Sequence, residues 1–343
     1  MKKISTFAKI LLDWFEENQR QLPWRGETDP YKIWVSEIIL QQTRVNQGWN
    51  YYLKFVERFP NVKLLAAATL QEVLHIWQGL GYYSRARNMH AAAQQIMQDF
   101  HGIFPNSYTE IIKLKGIGDY TAAAIASIAF QLPYPAVDGN VLRVITRIFG
   151  IYEDISQQKT VQNIAHLCKK LIDEKNPGNF NQALMEFGAI HCTPKNPKCT
   201  LCPFATQCVA LENEHQSLLP VKSLKTTVKN RFFHYFIFIK DNKTIIEQRT
   251  ANDIWKNLYQ FPLIETQTPC ENVNTDLGFC KSVFIKEIKH KLTHQHLTMR
   301  FYVVTGFFPK LKAGWFIISV DELEKYPFPV SLIKIMTHSQ RAM

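Results

Sequence analysis

Near residue 220 the spacing of apolar residues changes period, and no single fold class can serve both sides of the change. Upstream, apolar residues recur at helical intervals among many alanines, as in residues 64–79 and 88–100. Downstream come short β-branched and aromatic runs, at 232–239 and 299–304. The polar stretch 209–230, with Pro220, reads as the connection between them. A length of 343 residues suits two cores, since single cores stop growing near ~250 residues. The expected organisation is multidomain α plus α/β: an all-helical domain over 1–220, a linker over 221–230 and a smaller mixed α/β domain over 231–343.

Charge follows the same division. The chain carries 40 Lys and Arg against 29 Asp and Glu, a net of +11. Residues 1–220 hold 22 basic and 19 acidic residues, whereas 221–343 hold 18 and 10. The surplus therefore sits mostly in the last third, which raises nucleic acid as a partner and excludes a uniform basic coat. A 46% hydrophobic content can fill real cores and argues against wholesale disorder. No apolar run approaches the ~18 residues of a membrane span. The start is mildly signal-like, but Asp13, Glu16 and Glu17 interrupt it, while Phe7, Ile10, Leu11, Trp14 and Phe15 follow helical spacing. A cytoplasmic chain is expected, nucleoid-associated in a bacterium, with no membrane partner.

The cysteines localise the first chemistry. Four of the seven crowd together as Cys192-x6-Cys199-x2-Cys202-x5-Cys208, and the segment between them carries Pro194, Pro197 and Pro203, which predicts a rigid loop. Four thiolates on such a loop suit a tetrahedral zinc or a four-iron, four-sulfur cluster. Zinc sites more often use two short pairs, and here only Cys199 and Cys202 stand that close, which favours iron–sulfur. Cys168, Cys270 and Cys280 stand alone and read as small buried hydrophobes.

Between two helical stretches, at 107–113 and from about Asp119, lies Leu114-Lys115-Gly116-Ile117-Gly118. Gly116 and Gly118 allow a tight turn, Ile117 anchors it, and the turn amides with those of the next helix start form an anion site. With Lys113 and Lys115 alongside, this predicts a helix-hairpin-helix contact to a DNA backbone.

Two carboxylates complete the set. Asp29 and Pro30 cap a helix in which Glu37 lies among Trp34, Val35, Ile38 and Leu40, an apolar setting that raises a carboxyl pKa and lets it act as an acid. Asp138, in Val137-Asp138-Gly139-Asn140, precedes a helix over 141–149. Taken alone, Asp138 is a plain N-cap and Glu37 a salt-bridge partner; the hairpin and the cysteine loop favour a catalytic pair.

These motifs, in this order, resemble the endonuclease III, or helix-hairpin-helix, superfamily of DNA base-excision enzymes, and within it the MutY branch that removes adenine. Leu22-Pro23-Trp24-Arg25, the segment 36–43, Gly79-Leu80-Gly81-Tyr82-Tyr83 with the residues to Asn88, and the segment 181–189 carry the match further, over nearly the whole chain. The resemblance implies an all-helical glycosylase domain with a 4Fe-4S cluster loop at 192–208, acting as a monomer on double-stranded DNA that contains A:8-oxoguanine or A:G mispairs. It implies Glu37 as general acid, Asp138 facing the sugar cation, and Tyr120 and Asn140 in support. Gln41, Gln42 and Tyr82 would wedge the duplex, and Trp24, Arg25, Leu40 and Glu186 would shape the adenine pocket. Arg143 and Arg147 would link the cluster region to DNA phosphates. Lyase relatives carry lysine where this chain has Tyr120, so a monofunctional, hydrolytic enzyme is expected.

The last third resembles the Nudix-like module that this branch uses to read 8-oxoguanine. Its Trp…Phe-Pro signature appears over 254–262, with no Nudix catalytic box after it, so a reader without hydrolase activity is expected. The branch's Phe-Ser-His loop stands here as Leu292-Thr293-His294, which keeps the hydroxyl and loses the stacking ring. His290, His294 and His296 suggest a metal but lack a neighbouring Cys or carboxylate. The rival readings are a glycosylase and AP lyase for oxidised pyrimidines, which Tyr120 opposes, and a non-catalytic iron–sulfur DNA-binding protein, which the carboxylate pair opposes.

Overall fold

The computed structural model describes residues 2–223, 227–269 and 282–339. Cys270, Cys280 and the middle of the 221–230 linker lie outside them. The helices in chain order are α1 (Lys2–Asn18), α2 (Pro30–Leu40), α3 (Val45–Arg58), α4 (Val62–Ala67), α5 (Leu70–Ile76), α6 (Ser84–Asp99), α7 (Tyr108–Ile111), α8 (Asp119–Phe130), α9 (Gly139–Phe149), α10 (Gln158–Leu171), α11 (Pro177–Ile190), α12 (Val209–Glu212) and α13 (Val330–Ser339). The strands are β1 (Lys229–Lys240), β2 (Lys243–Gln248), β3 (Tyr259–Gln260), β4 (Leu263–Thr266), β5 (Val283–Lys291), β6 (Gln295–Thr305) and β7 (Trp315–Ser319). Two compact units result: Met1–Ala67 with Asn88–Leu224, and Ala68–Arg87 with Lys225–Met343. Among the described residues no helix is long and apolar enough to cross a membrane.

In the first unit, Phe7, Leu11 and Phe15 of α1 pack with Val141, Val144 and Ile148 of α9 and with Phe180, Leu184 and Phe187 of α11. Phe204 of the cysteine loop is fully buried in this core and stacks on Phe7 at 4.8 Å, so the loop is pinned by an apolar side chain. Cys168 is likewise buried, as its isolation in the sequence suggests. The alanines of α8 (Ala122, Ala123, Ala124, Ala126) are buried, leaving the close-packed surface that small side chains permit. Within the loop, single 3-10 turns at Cys199–Leu201 and Ala205–Gln207 add regular structure where the prolines predict none.

In the second unit, β1 is central. It pairs in parallel with β6, from Lys229↔Gln295 to Ile239↔Thr305, and antiparallel with β2 and β4. The sheet order is β3-β2-β1-β6-β5, with β4 on β1 and β7 on β2. One core gathers Phe233, Tyr235, Phe261, Met299, Phe301, Phe328 and Leu332, bringing α13 onto the sheet. Leu292-Thr293-His294 falls in the tight connection between β5 and β6. The segment Ala68–Arg87 groups with this unit although its helical spacing resembles that of its neighbours.

Candidate active site and DNA interface

The helix-hairpin-helix forms with a shorter first helix than expected. Ser107 caps α7, its hydroxyl accepting from the Glu110 amide at 3.3 Å, and the helix stops at Ile111 before turns lead to Leu114. The Ile117 amide donates to the Leu114 carbonyl at 3.1 Å, and Ile117 is buried. Gly116 has φ +79°, and a Cβ there would stand 2.5 Å from the Cβ of Asn88, so this position requires glycine. Gly118 is the extended N-cap of α8, with open space where a side chain would be.

The start of α8 delivers Tyr120 to α2. The Tyr120 hydroxyl donates to Glu37 Oε2 at 2.7 Å and lies 3.2 Å from Met185 Sδ. Asp29 accepts from the Tyr31 amide at 2.9 Å and Pro30 opens α2, the cap read from sequence. Glu37 is buried. Loss of water pushes its pKa up to about 7; the Tyr120 hydroxyl works against this and the Asp138 carboxylate adds to it.

Asp138 caps α9. It accepts from the Val141 amide at 2.8 Å and from Asn140 Nδ2 at 2.7 Å. Burial raises its pKa while those donors oppose the rise. Its approach segment is held by buried Asn181 of α11, which accepts from the Ala136 amide at 3.0 Å and donates to the Tyr134 carbonyl at 2.8 Å. A Cβ at Gly188 would lie 2.6 Å from Asn140 Cβ, so glycine there lets α11 reach this part of α9. Arg143 Nη2 donates to Asn140 Oδ1 at 2.8 Å, completing a chain from guanidinium to amide to carboxylate.

Glu37, Tyr120, Asp138 and Asn140 line one cavity of about 710 Å³ with Trp24, Arg25, Leu40, Gln41, Gln42 and Glu186. Glu186, another carboxyl of this cavity, is held in its ionised form. Burial would raise Glu186, but Arg20, donating from Nε at 2.7 Å and from Nη2 at 3.0 Å, outweighs it together with Arg25 at 3.1 Å, and the pKa ends below the usual carboxylate value. Arg20 carries no local sequence signal that finds it, whereas Gln182, which accepts from Arg25 Nη1, lies in the 181–189 segment that carries the resemblance. Trp24 packs edge-on to Tyr52 at 5.4 Å, and Gln41 donates to Thr121 at 3.1 Å. Gln42, exposed just past α2, adopts φ +54°.

Cys192, Cys199, Cys202 and Cys208 are free thiols around one small cavity. Arg143 and Arg147 are buried beside it, not spread on a solvated face. Arg143 donates to the Cys192 carbonyl at 2.8 Å; Arg147 donates to the carbonyls of Thr193 at 2.7 Å, Pro194 at 3.2 Å and Leu219 at 3.0 Å, and reaches Cys192 Sγ at 3.5 Å. Both side chains turn inward, donating to the cysteine loop and, from Arg147, to Leu219. Among the described residues no three His, Cys, Asp or Glu side chains gather as for a single metal ion, the histidines at 290, 294 and 296 included.

Tyr82 and the Leu292-Thr293-His294 loop belong to the second unit, where they share a cavity of about 540 Å³ with Trp255 and His290. Tyr82 is exposed, with φ +45°, and its hydroxyl meets Thr293 Oγ1 at 2.7 Å.

The chain thus carries a helix-hairpin-helix and a carboxylate-lined pocket on its helical unit and a mixed sheet on its second unit. Residues 35–186 match the HhH-GPD superfamily base excision DNA repair protein family, and residues 234–338 match the NUDIX domain. The chain is 36% identical to the adenine DNA glycosylase of Buchnera aphidicola subsp. Schizaphis graminum, over 85% of each chain. It is 34% identical to that of Buchnera aphidicola subsp. Acyrthosiphon pisum, over 95% of this chain and 96% of the relative. The solved structure of a thermostable thymine-DNA glycosylase superposes with a TM-score of 0.58 at 29% identity, covering 62% of this chain and 98% of that one. The chain belongs to the adenine DNA glycosylase family, enzymes of DNA base excision repair.

Proposed function

We propose that this enzyme hydrolyses the bond between adenine and deoxyribose when the adenine lies opposite 8-oxoguanine or guanine in duplex DNA. The observation that carries the reading is one pocket that brings together Glu37, its pKa raised to about 7 and its carboxyl held by Tyr120, and the carboxylate of Asp138, held by the Val141 amide and Asn140. Adenine is a poor anionic leaving group, and the sugar becomes an oxocarbenium-like cation. A proton donor and a facing carboxylate meet these two demands, as in glycoside hydrolysis. Glu37 protonates the base, and the Tyr120 hydroxyl then stabilises the carboxylate left behind. Asp138, aimed by Asn140 and the Val141 amide, faces the cation. The extruded base is held among Trp24, Arg25, Leu40 and Glu186. Gln41, Gln42 and Tyr82 occupy the duplex, offsetting the few kcal/mol of unstacking, and Gly116 and Gly118 bind backbone phosphate.

The four cysteines fit a 4Fe-4S cluster: they are free, they share a cavity, and the loop bearing them is held by Phe204 and Arg147. When bound, the cluster ties the loop into one thiolate-ligated clip. The loop Leu292-Thr293-His294 reads the base opposite adenine, with the Thr293 hydroxyl as its polar contact, and the Nudix-like domain carries no hydrolase chemistry.

Single-turnover adenine release from A:8-oxoguanine, A:G and A:T duplexes tests the assignment; equal rates on all three would refute it. The cavity is lined by Tyr120 and by no lysine among the described residues, so catalysis ends in water attack. Borohydride reduction during turnover is therefore expected to leave the enzyme free of DNA. A high yield of covalent adduct would instead establish a Schiff-base lyase.

A further inference from the structure

Two of the segments that wall the 540 Å³ cavity of the second unit, Asp253 to Trp255 and His290 to Gln295, are distant in sequence; residues 79–84 with Arg87, and 329–331, complete the lining. One buried side chain joins the first two. Arg231 of β1 donates from Nη1 to Asp253 Oδ1 at 2.8 Å and to Gln295 Oε1 at 3.0 Å, and from Nη2 to Asp253 Oδ2 at 2.7 Å. Its Nε and Nη2 hold Glu265 at 2.7 and 2.8 Å, so all five N–H donors of the guanidinium are used. The guanidinium also lies 4.8 Å from the centroid of the Phe233 ring.

We propose that Arg231, acting through Gln295, is a positioning residue that sets the 292–294 loop against the Asp253–Trp255 wall and thereby fixes discrimination between 8-oxoguanine and guanine opposite adenine. The inference rests on the reading of that loop as the lesion reader. Gln295 closes the loop, its carbonyl accepting from the Leu292 amide at 2.7 Å, while the Lys229 amide donates to the His294 carbonyl at 3.0 Å. Backbone bonds thus fix the shape of the loop, and the arm from Arg231 fixes its distance from the opposite wall.

The charges around Arg231 make this arm separable from scaffold stability. Arg249 also binds Asp253, at 2.9 Å, and donates to the Ile254 carbonyl at 3.0 Å. Two guanidiniums and two carboxylates balance without Gln295, whose amide oxygen is the neutral partner. Lysine at 231 would keep the charge but lacks the planar fork needed to reach three acceptors at once.

The test measures single-turnover adenine release from A:8-oxoguanine and A:G duplexes with full-length protein, alongside melting temperature. Gln295→Met is expected to lower the ratio of the two rates about tenfold, the equivalent of one hydrogen bond to a charged group, with A:G excision kept within about twofold. Gln295→Glu keeps the acceptor and is expected to keep the ratio; Arg231→Lys is expected to lose it as Gln295→Met does. An unchanged ratio in Gln295→Met overturns the proposal, as does an equal loss on both duplexes with a lowered melting temperature. Leu292→Gly with Thr293→Ala serves as reference. If that loop variant keeps the ratio, the loop is not the reader; if it loses the ratio and Gln295→Met does not, Arg231 is no positioning residue.

Discussion

Replacing Glu37 by Gln lowers single-turnover adenine release by roughly 10²–10⁴-fold, the usual contribution of a general acid, and at the same time raises the melting temperature above pH 7. Both effects come from burial. Burial moves the Glu37 pKa from 4.5 to about 7, so near neutral pH much of the enzyme holds the proton that adenine needs. Wild-type excision accordingly falls as pH rises through about 7, and the residual rate of the variant lacks this alkaline limb. The same displacement opposes folding. A carboxyl that binds its proton more tightly in the folded chain contributes fully below 4.5, loses that contribution up to about 7, and stays ionised and buried beyond it. A rise from 4.5 to about 7 amounts to on the order of 3 kcal/mol, which glutamine relieves while its oxygen still accepts from Tyr120. Single-turnover rates and melting curves between pH 5 and about 9, on either side of the folded pKa, check both limbs. Full excision by the variant would remove Glu37 from the chemistry.

Local signals led directly to part of this site. Asp29 and Pro30 announce α2, and Asp138 before Gly139 announces α9, because capping is decided within three or four residues. The alanine run predicts the tightly packed α8 for the same reason. What sequence patterning did not reveal depends on pairings across long separations. Glu186 acquires its charge state from Arg20 and Arg25, each more than 150 residues away, and nothing near any of the three marks them as partners. Arg143 and Arg147 read as a basic stripe at i, i+4, yet both turn inward, since the loop carbonyls at 192–194 need donors once Phe204 has drawn that loop against the core. The grouping of Ala68–Arg87 with the sheet unit was equally silent, since α5 has the spacing of any surface helix. The roles proposed for Tyr120, Asn140 and the 292–294 loop come from motif resemblance, since neither composition nor periodicity can assign them.

Asp138→Asn separates a catalytic carboxylate from a helix cap at the same atom. Asparagine caps helices as well as aspartate does, so its oxygen keeps the Val141 amide and α9 stays in place. The contact with Asn140 Nδ2 loses its acceptor, costing about 1 kcal/mol, while removal of a buried charge acts in the opposite direction. The melting temperature should therefore move by no more than about 2–4 °C. Excision is expected to fall roughly 10²–10³-fold, the scale of losing one placed electrostatic partner of a developing charge. A cap without chemistry predicts the reverse, unchanged excision in Asp138→Asn and a destabilised Asp138→Ala. The pH profile adds an independent check. With the proposed roles, an ionised Asp138 facing the cation and a protonated Glu37 serving adenine, wild-type activity is expected to be bell-shaped, with its alkaline limb near 7. Burial raises the Asp138 pKa, placing the acid limb above that of an ordinary aspartate. Asp138→Asn removes the acid limb and, by taking away a charge that helps raise Glu37, moves the alkaline limb to lower pH, whereas Glu37→Gln removes the alkaline limb; a variant that leaves both limbs in place would show that its carboxyl does not act in its assigned protonation state.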